Sequence, residues 1–181
     1  MLRSSQPPFV IRDAIPADIP TLAQLHVRTF NETHAFVPGH APSFELRERQ
    51  WQEAFSGADQ TWFCFVVQNE RSELLGFAKG NPYLEPEPVG FQGELNKIYV
   101  LRKFHRQGLG SRLLGHVVRR FLSRGITSML LFGEATSPSN GFYERMGAEK
   151  LYAPRGEFHG GYGWRDLRLF AARFAADWIT S

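Results

Sequence analysis

The chain has very little cysteine, because Cys64 is the single one among 181 residues. No disulfide can form within the chain, which excludes the class of small secreted domains built on a disulfide framework. A lone thiol fits a reducing compartment, and we therefore expect a cytoplasmic protein. Cys64 lies in the apolar segment 62–67, so we interpret it as a core residue and not as a nucleophile.

Long hydrophobic runs are also absent. No stretch approaches the roughly 18 consecutive apolar residues that span a membrane, so we expect no membrane partner. Residues 1–8, MLRSSQPP, lack the apolar core of a signal peptide and are expected to form a loose leader. Residues 9–181 have the length of one domain, and an apolar content of 43% is typical of a globular protein.

Several motifs that carry common chemistries are missing. No Gly-x-Gly-x-x-Gly follows a strand, and no loop ends in Gly-Lys-Ser/Thr. The six histidines are dispersed without His-Glu-x-x-His spacing, so we expect no metal. No Gly-x-Ser-x-Gly elbow indicates a serine hydrolase. The net charge is only +3, and no basic stripe interleaved with aromatics indicates nucleic acid as a partner.

One stretch, residues 94–124, organises the rest of the chain. Its first part, ELNKIYV, is rich in strand formers, and Gly108 and Gly110 follow after a short basic segment. Apolar residues then recur at the three- and four-residue spacing of an amphipathic helix: Leu109, Leu113, Leu114, Val117, Val118, Phe121 and Leu122. Gly125 is placed to end this helix in a left-handed conformation.

The turn between strand and helix has the properties of an anion site. The first four amides of a helix have no internal partner, and glycines let a ligand approach the backbone closely. The helix dipole contributes about 0.3–1 kcal/mol per charge. Cationic side chains stand close by in the sequence at Arg102, Lys103, His105 and Arg106. The stretch therefore predicts a phosphate-bearing cofactor.

The segment HRQGLG, His105 to Gly110, resembles the acyl-CoA signature Arg/Gln-x-x-Gly-x-Gly/Ala of the GNAT N-acetyltransferase superfamily. His105 departs from the pattern at its first position. The resemblance covers roughly residues 8 to 170. It implies acetyl-CoA as cofactor and a single-domain α/β (α+β) fold: a mixed, mostly antiparallel sheet with a central, splayed parallel strand pair and flanking helices. The implied cofactor-binding residues are Ile98, Tyr99, Val100, His105, Arg106, Gln107, Gly108, Leu109, Gly110 and Ser111.

The predicted elements follow the order β, α, α, β, β, β, α, β, α, β, β of that fold. Strands are expected from Phe9 and at 61–68, 74–80, 95–101 and 129–132, then as a final pair, 149–158 and 162–170, around a Gly160-Gly161 turn. Asp18 and Ser43 are the predicted N-caps of the first two helices. Phe170, Phe174 and Trp178 indicate a helical tail that packs either within the chain or on a partner.

Acetylation of an amine requires the free base. A lysine-like ammonium with pKa about 10.4 costs roughly 4.6 kcal/mol to deprotonate at pH 7. We predict Glu94, which by the resemblance matches a catalytic glutamate, as the general base; a strand-end carboxylate that binds a substrate cation or is merely solvated is the alternative. The segment SNGFYERMGAE resembles the motif of the family whose tyrosine protonates the departing thiolate, which implies Tyr143 as general acid. Its alternative is a tyrosine that only donates a hydrogen bond. Thr136 replaces the usual asparagine of this motif.

The acceptor is the open question. Carboxylates at Glu32, Glu45, Glu48, Glu85 and Glu87 favour a small cationic amine such as a polyamine, although each of them is equally well explained as solvated surface. A peptide N-terminus or lysine side chain is the alternative acceptor, and an aminoglycoside-like amine is a further one. A non-catalytic acyl-CoA-binding sensor would need the same fold. Dimerisation through the last strands and the aromatic tail is compatible with the sequence.

Overall fold

The computed structural model describes residues 9–34 and 42–179, with side chains as far as residue 175. The predicted leader therefore lies outside the described residues, as does the side chain of Trp178. In chain order the elements are β1 (Phe9–Asp13), α1 (Ile19–Thr33), α2 (Phe44–Ser56), β2 (Phe63–Asn69), β3 (Leu74–Pro82), β4 (Gly93–Val100), α3 (Leu109–Ser123), β5 (Met129–Leu131), α4 (Asn140–Arg145), β6 (Glu149–Tyr152), β7 (Phe158–Trp164) and α5 (Leu167–Ile179).

All seven of these strands join one sheet in the order β1-β2-β3-β4-β5-β7-β6. Every neighbouring pair is antiparallel except β4 and β5, which are parallel because the α3 crossover connects them. The predicted mixed sheet with one central parallel pair is confirmed. None of the helices in the described part of the chain is long and apolar enough to cross a membrane.

Helices cover both faces of the sheet. On one face α3 packs through Phe121, whose ring centroid lies 5.0 Å from that of Phe63. On the other face Trp51 of α2 contacts Phe77 of β3 at 5.7 Å. A strand covered on both faces is apolar throughout, which explains why β2 reads as a continuous hydrophobic run. Cys64 of β2 is buried with 3% exposure, and burial raises the pKa of its thiol.

The two predicted helix caps have different outcomes. Ser43 is confirmed, because its hydroxyl accepts a hydrogen bond from the Leu46 amide at 3.1 Å. Asp18 precedes α1 but makes no side-chain capping bond to it. Its carboxylate instead accepts from the Ile15 amide at 2.9 Å and from Arg12 at 2.7 Å. A cationic partner thus draws the carboxylate away from the helix amides.

The position of the turn predicted for the final hairpin, Gly160-Gly161, is wrong. The chain reverses over residues 153–157, where the Ala153 amide donates to the Glu157 carbonyl at 2.9 Å, and Gly160 and Gly161 lie inside β7. A Cβ added to Gly160 would lie 2.4 Å from the backbone carbonyl carbon of Glu134. Glycine is therefore required at this position by close backbone approach and not by the turn.

Two smaller expectations concern the ends of elements. Strand β5 ends at Leu131, so Phe132 falls outside it and is 56% exposed. The tail packs within the chain: α5 contacts α3, and Phe170 is buried with its ring 6.0 Å from that of Trp164.

We predict that Gly160→Ala lowers the free energy of unfolding by about 2–5 kcal/mol. The positive φ of 92° contributes about 1–2 kcal/mol, and the overlap with residues 133–134 contributes about 1–3 kcal/mol. Gly156→Ala is the matched control, because its φ is 89° but no atom lies within 4 Å of the added Cβ. Urea unfolding should show a loss of only about 1–2 kcal/mol for the control. Equal losses would contradict the close approach.

Candidate active site

The parallel strands β4 and β5 are paired at one end and then separate, and we call this separation the fork. β4 and β5 are paired only at Gly93 with Met129 and at Glu94 with Leu130. Beyond Glu94, β4 continues for six residues, and all of them except Asn96 pair with β3 alone. The β5-facing backbone groups of this segment therefore have no strand partner, which is the arrangement that accepts an added, extended ligand.

The turn that follows β4 is built on two positive backbone angles, with φ of 61° at Arg106 and 77° at Gly108. Gly108 is the N-cap of α3, and the first bond into the helix runs from the Arg112 amide to the Gly108 carbonyl at 3.0 Å. The amides of residues 109–111 precede that bond and make no backbone hydrogen bond in the described chain. Free amides at the start of a helix are a geometry that can bind an anion, and the diphosphate site at this turn stays a prediction.

His105 has a different task from the one expected of a cationic side chain at this turn. Its Nε2 forms a hydrogen bond of 2.8 Å with the Val100 carbonyl oxygen. This contact joins the turn to the last residue of β4 and engages one of the backbone groups predicted for the cofactor. The Ser111 hydroxyl likewise donates to the Gly108 carbonyl at 2.8 Å.

Helix α4 packs against the start of α3. A Cβ on Gly110 would lie 3.4 Å from the Phe142 ring, so the glycine permits the contact. Tyr143 is next in the chain, and its ring centroid is 5.6 Å from that of Tyr162. Burial, followed by the neighbouring Tyr99 and Tyr162, raises the pKa of the Tyr143 phenol. Within residues 9–34 and 42–175 the Tyr143 hydroxyl makes no hydrogen bond.

Glu94 lies at the point where the fork opens. Its carboxylate accepts hydrogen bonds from the Asn81 side chain at 2.9 Å and from the Asn96 side chain at 3.3 Å. Both donors are neutral amides, which orient the carboxylate without neutralising its charge.

A bulge at Asn96 changes which residues share the face of Glu94. Leu95 pairs with Gly80, and Lys97 pairs with the next residue along β3, Lys79, so Asn96 is the extra residue. Strict alternation from Glu94 would place Lys97 and Tyr99 on the opposite face. No local signal in the sequence marks this bulge, so strand alternation alone does not predict the face on which Lys97 lies.

Contacts show where the residues after the bulge lie. The Tyr99 ring is 5.8 Å from His26 of α1 and 5.7 Å from Phe77, on the side of the sheet covered by α1 and α2. The Tyr99 ring therefore lies on the α1–α2 side of the sheet, and its hydroxyl is 3.5 Å from His34 Nε2. Lys97 donates a hydrogen bond of 2.7 Å to the Asn96 side-chain oxygen. Burial, then the charges of Lys79 and Arg47, lower the pKa of Lys97 to about 8.

His26 lies beneath the same face and is 2% exposed. Burial, then the charges of Arg47, Lys97 and Lys79, lower its pKa to about 3, so the ring is neutral at pH 7. Its Nδ1 has no hydrogen-bond partner in the described part of the molecule.

The carboxylates that suggested a cationic acceptor are partly engaged elsewhere. Glu32 accepts from the Arg102 amide at 2.7 Å and from Arg28 at 3.2 Å, so it fixes α1 to the turn after β4. Glu87 accepts from the amide of Val89 at 3.2 Å. Among the residues that the structure describes, no cluster of three or more histidine, cysteine or carboxylate side chains could hold a metal ion.

The fold, the fork and the turn together define an acyltransferase of the GNAT class. A family model, Acetyltransferase (GNAT) family, matches residues 20–148, and the chain belongs to that family. Enzymes of this family use acetyl-CoA as acyl donor, and this chain is an acyltransferase. The recognition made from the HRQGLG segment is thereby confirmed.

Relatives support the same assignment. The protein described as the uncharacterized N-acetyltransferase YuaI of Bacillus subtilis (strain 168) is 30% identical over 168 residues, which are 87% of this chain and 93% of that protein. The fold also resembles PaiA N-acetyltransferase from Thermoplasma acidophilum in complex with coenzyme A, at TM-score 0.66, 16% identity, 86% of this chain and 97% of that chain. A ribosomal-protein-alanine N-acetyltransferase from Brucella melitensis resembles it at TM-score 0.64, 22% identity, 86% of this chain and 98% of that one.

We predict that His26 makes the protein sensitive to acid. Its pKa of about 3 when folded lies below the ordinary 6.5, so the unfolded chain binds the proton more tightly. This stabilisation is complete above pH 6.5 and is lost as the pH falls. Between pH 6.5 and 5 the loss amounts to about 2 kcal/mol at 1.36 kcal/mol per unit.

Unfolding free energies at pH 7 and pH 5 check this prediction. The fall between the two pH values should be smaller by about 2 kcal/mol in His26→Leu. His159→Gln, an exposed position on β7, should fall as the wild type does. Burial lowers the pKa of His116 to about 4, so His116 also contributes to the loss of stability at pH 5. This contribution is the same in the wild type and in both variants. If the unfolding free energy of His26→Leu decreased between pH 7 and pH 5 as much as that of the wild type, His26 would not be the source of the acid sensitivity.

Proposed function

We propose that the enzyme transfers the acetyl group of acetyl-CoA to a primary amine by direct attack within a ternary complex. The observation that carries the proposal is the fork, which has the Glu94 carboxylate at its apex and Tyr143 beside its α3 end. In the overall reaction the amine nitrogen forms a bond to the acetyl carbon, the carbon–sulfur bond breaks, and one amine proton ends on the thiol.

The residues at the fork fit acetyl-CoA, which supplies an activated thioester. We propose that the backbone of Ile98 and Tyr99 binds the pantetheine arm, while His105 already engages the carbonyl of Val100. The diphosphate would be held at the start of α3. The residues proposed to bind it, the glycines through their backbone amides, are Arg106, Gln107, Gly108, Leu109, Gly110 and Ser111. The left-handed Gly108 leaves the approach to these amides open, because nothing lies closer than 4.0 Å to a Cβ placed there.

Glu94 is proposed as the base that takes the proton of the acceptor amine, directly or through a water molecule. Deprotonating a lysine-like amine costs roughly 4.6 kcal/mol at pH 7, so a fixed carboxylate beside the amine removes part of the barrier. The hydrogen bonds from the side-chain amides of Asn81 and Asn96 hold the carboxylate in one orientation.

Tyr143 is proposed as the acid that serves the departing sulfur. Because its pKa is raised, the phenol stays protonated throughout the usual assay range. A complete transfer from a phenol above pKa 10 to a thiolate near 8.5 is uphill by about 2 kcal/mol or more. Tyr143 therefore acts first by donating a hydrogen bond to the sulfur as negative charge develops there.

The acceptor is proposed as a small amine. A polyamine stays a prediction from the acidic segments, and a protein or peptide N-terminus is the alternative. A sensor would bind acetyl-CoA without turnover, but it would have no need of Glu94 and Tyr143 at the fork. The cytoplasmic location and the homodimer also stay predictions.

Thiol release from acetyl-CoA, measured with an amine panel and an amine-free blank, tests the function. We expect Tyr143→Phe and Glu94→Gln each to lower kcat by about 10²–10⁴-fold, the usual contribution of acid or base catalysis. The affinity for coenzyme A should stay within about twofold, because each change removes a single polar group from the reacting centre and leaves the phosphate turn intact.

Tyr152→Phe is the matched control, because this tyrosine is 60% exposed on β6. Its kcat should equal that of the wild type. An unchanged kcat in Tyr143→Phe would remove the acid assignment. Binding of acetyl-CoA without thiol release for any amine or peptide would favour the sensor.

A pair of glycines at the two ends of α3 tests the phosphate turn. Gly108 and Gly125 have nearly equal φ angles of 77° and 75°, and both have room for a Cβ. Alanine at either position should therefore cost similar stability, about 1–2 kcal/mol. Only Gly108→Ala should weaken coenzyme A binding, by about tenfold, through loss of a charge-assisted hydrogen bond. Calorimetric titration measures both affinities, and equal affinities would exclude the turn as the diphosphate site.

A further inference from the structure

Three cationic side chains lie on the face of the sheet that carries Glu94. They are Arg47 of α2, Lys79 of β3 and Lys97 of β4, and each is half-buried. Lys79 and Lys97 are directly opposite each other in the β3–β4 ladder. Like charges in such a pair destabilise a sheet, so this arrangement is not explained by folding.

The contacts of these cations are with neutral groups. Arg47 donates to the Gln50 side chain at 2.8 Å, and Lys97 donates to Asn96. The Lys79 ammonium lies 5.1 Å from the centroid of the Trp62 ring. In residues 9–34 and 42–175, no carboxylate lies within ion-pair distance of any of the three.

The three charges converge on one place. Each of them lowers the pKa of His26, whose ring lies beneath this face. Arg47 and Lys79 also lower the pKa of Lys97, in keeping with the position of Lys79 directly opposite Lys97 on the neighbouring strand. An anion bound between them would relieve this repulsion.

The residues that the structure describes place no carboxylate in ion-pair contact with these three cations. Glu94 acts on both lysines and Asp59 acts on Lys79, but neither carboxylate is within ion-pair distance. The Glu94 oxygens accept hydrogen bonds from the side-chain amides of Asn81 and Asn96 instead. The segments MLRSSQPP (1–8) and AFVPGHA (35–41) contain no aspartate or glutamate at all. These two segments therefore carry no negatively charged side chain.

Unsatisfied polar atoms lie in the same place. Arg47 Nε and Trp51 Nε1 are buried and have no hydrogen-bond partner within the described chain. Both can only donate, and a buried donor without an acceptor costs about 1–3 kcal/mol. Trp51 also lies beneath the Lys79 ammonium, at 5.7 Å from its ring centroid. The missing partner of this group of donors is an oxygen acceptor.

We propose that the acceptor is a small amine that also bears a carboxylate, as an amino acid does, and that Arg47, Lys79 and Lys97 bind this carboxylate. This inference rests on the acetyl transfer proposed above. The amino group then points along β4 toward Glu94, and the two charges of a zwitterion meet opposite charges on one face. The same cations repel a second ammonium group, so a polyamine is disfavoured.

The positive charges have a second consequence for the reaction. They disfavour the protonated form of a nearby amine and so raise the fraction of free base that can attack. The cations thereby serve binding and deprotonation together, whereas a neutral site would leave Glu94 the whole task.

Acceptors that differ mainly in one terminal group test the inference. Initial rates of thiol release are compared for γ-aminobutyrate, butylamine and putrescine, and for methionine against methioninamide. We expect kcat/KM for the carboxylate-bearing member of each set to exceed that of its neutral counterpart by about tenfold or more, the value of a charge-assisted hydrogen bond. Putrescine should be the poorest acceptor of its set.

Variants assign this preference to the cations. Lys97→Met and Arg47→Gln should each raise KM for the carboxylate-bearing acceptor by about tenfold and leave KM for acetyl-CoA unchanged. With butylamine the loss of kcat/KM should be smaller than with the carboxylate-bearing acceptor, because butylamine loses only the effect of the positive charge on its amine proton. Arg49→Gln removes an exposed cation from the same helix and should change none of these values.

The outcomes separate this inference from the function on which it rests. Turnover without a carboxylate preference, with putrescine as best acceptor, or only with acidic peptides, would overturn the inference and leave acetyl transfer intact. A preference that survives Lys97→Met and Arg47→Gln would also overturn it. Absence of thiol release with every amine would overturn the proposed function, and this inference with it.

Discussion

The site depends on the brief contact between β4 and β5. These strands are held together for two residue pairs and then part, because β5 is only three residues long and takes β7 as its other partner. The parting leaves a row of backbone groups on β4 without a partner on β5, and the crossover helix α3 follows β4 after a short turn. If β4 and β5 were hydrogen-bonded along their whole length, more backbone groups would be paired, but no place would be left for an extended ligand.

The sequence predicted those structural elements around the candidate site that local patterns define. The strand–turn–helix unit around Gly108 follows from hydrophobic period and glycine placement, both of which act over a few residues. The bulge at Asn96 and the packing of Gly160 against Glu134 depend on partners far away in the chain. Gly160 looks like a turn glycine because a turn and a close backbone approach both require the absence of Cβ.

On the face that carries Glu94, the negative charge and the positive charges occupy separate positions. One carboxylate is oriented by neutral amides at the apex of the fork, and three cations stand against aromatic rings and amide oxygens nearby. Burial and mutual repulsion disfavour these cations in the folded protein, so their persistence is better explained by binding than by stability. The bulge at Asn96 creates the arrangement, because it brings Lys97 to the side where Lys79 and Arg47 already lie.

The deep placement of Cys64 has a practical consequence. Its thiol is enclosed between the sheet and the helices, and its raised pKa leaves almost no thiolate in the native protein. The folded enzyme should therefore be silent toward thiol-reactive dyes. Every reacting thiol in a continuous assay then comes from coenzyme A, and a dye signal without cofactor reports that the β2 layer has opened.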